Sequence, residues 1–166
     1  MLLSRTVPLI LALWALPGIA PAQDDLDLLT DLRANIRAMF DDEAVCDRIE
    51  ERLAAEDTHS DPLMKGYLGV LTIARGTHRI NPFARLGTFN DGVDILEASL
   101  ASDPSSVELH FLRLSIQVNV PGFVGYDEQR AEDRAFVEAR LHTVQNIPLR
   151  QRIIRFIAKA VADGKL

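Results

Sequence analysis

The chain has 166 residues, with 18 Lys and Arg against 24 Asp and Glu, a formal net charge of −6 and one cysteine. An acidic chain without a basic cluster makes a poor partner for nucleic acid or for an anionic membrane surface. A single thiol excludes an internal disulfide, so stability has to come from apolar burial.

The first 22 residues read as a secretory signal peptide. Arg5 is the only charge before Asp24, Val7 to Leu16 is an apolar run, and Pro17-Gly18 breaks it. Ala20-Pro21-Ala22 offers small residues for cleavage after Ala22. The run is about ten residues long, whereas a membrane span needs about twenty. No cysteine stands at the cleavage point, which argues against lipoprotein processing. The expected mature form, residues 23–166, is a single α-helical repeat-like domain with no membrane span, located in the periplasm or secreted.

From Asp24 to Phe40, Leu29, Leu32, Ile36 and Met39 recur at helical spacing, which predicts one helix with its acidic first turn at the positive end of the dipole. Asp41-Asp42 is a cap for a second helix with the stripe Val45, Ile49 and Leu53, alongside which Cys46 reads as a small buried hydrophobe. Asp61-Pro62 starts a third helix, with proline at the first position where its missing N–H is harmless. Residues Leu63 to Ala74 are apolar nearly all round, the mark of a helix buried on several sides. Gly66 and Gly69 within it point to close helix crossings. Gly76 is the expected helix end, followed by a loop from Thr77 to Phe83 in which Asn81-Pro82 is a turn starter.

Ala84 to Ala101 predicts an amphipathic helix, with Leu86, Phe89, Val93, Leu96 and Leu100 inward and Asn90, Asp91, Asp94 and Glu97 outward. The pattern then recurs. Asp103-Pro104 opens an apolar helix through Leu109, Leu112, Leu114 and Val118, and Pro121 to Tyr126 forms a second loop. Asp127 caps an amphipathic helix carrying Ala131, Ala135, Leu141 and Val144. Pro148 opens the last helix, with Leu149, Ile153, Ile157 and Val161 inward.

Asp61-Pro62, Asp103-Pro104 and Ile147-Pro148 therefore mark a period of 42 and then 44 residues, the signature of stacked helical hairpins. The fold class expected is all-α, a short array of about seven helices after the signal peptide. Corresponding loops of consecutive units have to share one edge of the stack.

The spacing Gly92, Leu96, Ser99, Pro104 resembles the second helix of a tetratricopeptide repeat, over residues 62 to 147. The loops read as longer than that family's tight turn. The string Lys65-Gly66-Tyr67, Asn81-Pro82, Glu108, Phe111-Leu112-Arg113, Pro121 and Gly125-Tyr126 is also similar to a group of uncharacterised exported bacterial proteins with a degenerate tetratricopeptide-like fold. That resemblance implies fold and compartment, and no chemistry.

No nucleophile elbow, zinc-protease helix, phosphate loop or dinucleotide fingerprint occurs, and His59, His78, His110 and His142 share no ligand spacing. No catalytic residue, metal or cofactor is assigned. Arg113 stands in a helix almost without a polar face, so it requires a carboxylate such as Glu97, Glu108 or Asp133, or else it recognises an anion. Lys65, Tyr67 and Gln117 admit the same two roles. His78, Asn81, Phe123 and Tyr126 combine aromatic and hydrogen-bonding groups on two neighbouring loops. The expected function is a non-enzymatic module of the cell envelope binding a protein or peptide partner. The alternative is an enzyme or small-ligand binder using a polar pocket around Arg113.

Overall fold

The computed structural model describes residues 28–55 and 60–166. The signal peptide and its cleavage point, the acidic turn at Asp24–Asp27 and His59 lie outside the described residues. Among those described the fold is all-α: α1 (Leu28–Asn35), α2 (Ala38–Asp41), α3 (Glu43–Ala55), α4 (Pro62–Thr77), α5 (Pro82–Ser102), α6 (Val107–Asn119), α7 (Arg130–Arg140) and α8 (Ile147–Ala162). Short 3-10 turns at Gly122–Val124 and Leu141–Thr143 flank α7. No helix among the described residues is long and apolar enough to cross a membrane.

Helix starts follow local side-chain chemistry. Asp61, Asn81, Ser106 and Asn146 each accept a backbone N–H of the first turn that follows, which satisfies donors that a helix cannot pair internally. Several boundaries differ from the sequence expectation. The first helix is interrupted after Asn35, whose side-chain amide donates to the Asp31 carbonyl oxygen and competes with the ladder. Pro82 opens α5, so the first loop shrinks to the four residues between Thr77 and Pro82. Pro104 does not open α6. Asp103 accepts the Ser105 amide and hydroxyl in a turn, and the helix begins only after Ser106. Asp127 is no cap either, since α7 starts three residues later with Gln129 at its N-cap.

The hairpin α4–α5 is held at its closest by two glycines. A Cβ on Gly69 would lie 2.8 Å from the Gly92 carbonyl oxygen, and one on Gly92 would lie 2.7 Å from the Gly69 oxygen and from the Ile73 amide. Only hydrogen fits at such a backbone-to-backbone crossing. Gly66 serves the neighbouring crossing, where a Cβ would meet the Leu109 side chain on α6.

α4 and α6 form the interior. A first cluster buries Leu32, Met39, Cys46, Ile49, Leu71, Leu96, Leu109 and Leu112 between α1 and α6. A second buries Phe111, Leu114, Val118, Val137, Leu149 and Ile153 between α6, α7 and α8. α6 contributes to both, which is why it has almost no free face. Burial pushes the Cys46 thiol up to about 11, and its Sγ donates to the Met39 carbonyl oxygen at 3.0 Å.

The inward stripe of α5 holds for Leu96 and Leu100, whereas Leu86 is half-exposed. α6 has 13 residues and α5 has 21, so α6 leaves the first turns of α5 overhanging by roughly 12 Å at 1.5 Å per residue. On α7, Ala131 and Ala135 face solvent and Val137 is the buried apolar residue. On α8, Val161 faces solvent and Ala160 takes the inward place.

Candidate functional site

Two loops, 78–81 between α4 and α5 and 120–129 between α6 and α7, carry most of the candidate residues. Gly76, at the end of α4, packs beside Arg85 and Phe89 on α5. Tyr126, in the loop after α6, sets its ring edge-on against Phe89 with centroids 6.0 Å apart. The end of α4 and the loop after α6 are therefore both anchored on Phe89, the eighth residue of α5.

The candidate residues on these loops divide into two groups. Phe123 is 91% exposed, and at the first loop Phe83 is 87% and Ile80 fully exposed. Arg79 is exposed among them. Tyr126 and His78 are partly buried, and Asn81, though exposed, is engaged by backbone. Tyr126 donates its hydroxyl to Glu97 Oε1 at 2.5 Å, and burial followed by that carboxylate pushes the phenol well above its ordinary range. His78 Nε2 sits 2.8 Å from the Met39 carbonyl oxygen, tying the loop to α2. Asn81 is spent as the N-cap of α5, accepting the Phe83 and Ala84 amides. Of the patch expected from Phe123, Tyr126, His78 and Asn81, Tyr126 and His78 are partly buried and bonded elsewhere, and the exposed apolar side chains of these segments are Ile80, Phe83, Leu86 and Phe123. Burial of a tyrosine requires a hydroxyl partner, and Glu97 supplied one that the outward position assigned to it had hidden.

The buried polar candidates form two separate networks rather than one pocket. In the first, Arg113 binds Asp133 through Nε–Oδ2 and Nη2–Oδ1, both 2.7 Å, and reaches Glu97 Oε2 through Nη1 at 2.8 Å. His110 Nδ1 lies 2.7 Å from Asp133 Oδ1, and its ring stacks on Phe136 at 3.8 Å. Asp133 is fully buried. Burial alone would raise its carboxyl, but Arg113 and His110 outweigh that and hold it below the usual carboxylate range. Arg113 is held above its ordinary value, first by the bond to Asp133.

In the second network, Glu108 accepts Tyr67 Oη at 2.6 Å and Arg33 Nε and Nη2 at 2.8 and 2.6 Å. Glu108 is thereby unavailable to Arg113. Burial and then Glu108 push the Tyr67 phenol far above its usual range. Lys65 is exposed and belongs to neither network. Gln117 is buried and donates to Gln129 Oε1 at 3.1 Å across the α6–α7 contact. An open hollow of about 250 Å³ beside Arg113 is lined by Glu97, Leu100, Ala101, Pro104 and His110; Lys65, Tyr67 and Gln117 are not part of it. Among the described residues no group of three or more His, Cys, Asp and Glu could hold a metal ion.

No family model matches this chain, and neither a curated protein nor a solved structure matches it.

Proposed function

We propose that this chain is a non-enzymatic interaction module, an exported helical array of the bacterial cell envelope that holds a protein or peptide partner against its loops. The observation carrying this is the near-complete exposure of Ile80, Phe83 and Phe123 in and beside the two loops. Rigid side chains presented this way bury large areas at small entropic cost and make natural anchors. The short apolar leader supports export, and the proline period supports a repeat array related to the tetratricopeptide type. The rival, an enzyme or ligand site at Arg113, lacks a free guanidinium, because each of its three nitrogens donates to a carboxylate.

The test compares Phe83→Ser/Phe123→Ser with Asp94→Ser, a change on the outer face of α5. Partner recovery from envelope extracts should fall more than about tenfold for the double variant, the scale of a lost hot spot. It should be unchanged for Asp94→Ser, with both variants melting like the parent. Equal recovery from all three proteins would end the assignment of the loops.

A further inference from the structure

We infer that the outer face of α8 is a second docking surface, one that takes an acidic amphipathic helix from another protein. The inference is independent of the loops and concerns another part of the chain.

In each preceding hairpin the first helix offers one face to its partner. α4 offers Gly69 and Gly76 to α5. α6 offers His110, Arg113 and Gln117 to α7, through Asp133, Phe136 and Gln129. α8 stands beside α6 in the same way, with Phe111 and Phe156 edge-on at 5.5 Å. Beside its buried face of Leu149, Ile153, Ile157 and Ala160, α8 carries an aliphatic stripe that no helix among the described residues covers: Ile147, Ile154 and Val161 are 51%, 42% and 43% exposed. They recur every seven residues, the spacing of a seam between two helices.

Charge selects the occupant. Residues 141–166 hold Arg150, Arg152, Arg155, Lys159 and Lys165 against the single acid Asp163, in a chain of net charge −6. Lys159 pairs with Asp163. Arg150 and Arg155, on either side of the aliphatic stripe, form no ion pair among the described residues. Acidic residues flanking an apolar stripe would meet these two arginines. A second copy of α8 would set like charges against each other. A lipid surface suits the face poorly, since its aliphatic side chains are only half-exposed and the one aromatic of α8, Phe156, packs inward on Phe111.

The experiment places a photoreactive benzoylphenylalanine at Ile154 in the full chain, made in its own cells, with the same probe at Asp94 as reference. Irradiation should give an adduct with another polypeptide. The crosslinked segment should carry apolar residues at three- and four-residue steps and an excess of Asp and Glu. Arg150→Glu/Arg155→Glu should abolish the adduct while leaving the melting curve in place. The inference fails if the adduct is with a second copy or with lipid, or if Ile154 gives no more adduct than Asp94. It also fails if the charge-reversed variant, still folded, crosslinks as before.

Discussion

Two glycines in α5 should respond to the same substitution with opposite sign. Gly87→Ala places a methyl where nothing lies within 4 Å. It should gain about 1 kcal/mol, the helix preference of alanine over glycine. Gly92→Ala gains the same preference, but its Cβ would stand 2.7 Å from the Gly69 oxygen, the Ile73 amide nitrogen and Ile73 Cγ1. Two of those atoms are backbone, so no side-chain rotation relieves the overlap and α4 and α5 have to part by roughly half an ångström or more. A gap of that size forfeits a quarter to a half of each contact along the crossing. Overpacking costs of about 1–3 kcal/mol apply, at the upper end here, so after the helix preference the net loss is about 2 kcal/mol. The two variants should then differ by about 3 kcal/mol. Urea unfolding followed by far-ultraviolet circular dichroism measures this directly, as midpoints at a common slope. Stabilisation by both changes, or equal midpoints, would show that the α4–α5 crossing is not limited by backbone contact.

Arg113→Met leaves the fully buried Asp133 with only His110 and should cost about 3–5 kcal/mol at neutral pH. Arg113→Met/Asp133→Leu should recover most of it by removing the orphaned charge; denaturant unfolding of the single and double variants checks both. Leu112→Ala, with Leu112 wholly buried in the first cluster, should cost about 2–5 kcal/mol by the same assay. Asp133 and Asp31 both titrate below their ordinary value. For each, burial opposes the shift and cationic partners outweigh it: Arg113 and His110 for Asp133, Arg48 and Arg52 for Asp31. Groups depressed on folding stabilise fully above the unfolded value of about 3.9 and lose that contribution as pH falls through the folded one. Stability followed by circular dichroism should therefore drop below about pH 4, and Asp133→Asn should flatten that drop.

The helical class and most helix positions were legible in the sequence because they rest on local chemistry. Apolar residues at three- and four-residue steps, Asp61 and Pro62 at a helix start, and glycines at crossings act within a few residues of one another. The burial of α4 and α6 was equally plain, since a helix apolar on all sides has nowhere else to go. The proline period marked two helix starts, Pro62 and Pro148, and missed that α6 begins only after Ser106. What neighbouring helices do to a given side chain was not legible. Glu97 sits on the polar side of α5 by its spacing, yet Arg113 and Tyr126, 16 and 29 residues further along, claim both of its oxygens. Leu86 and Val161 belong to inward stripes by their spacing. They are exposed because α6 ends short of one, and no helix among the described residues covers the other. A side chain's surroundings in an array depend on the lengths and register of helices far away in sequence, and only the packed structure fixes those.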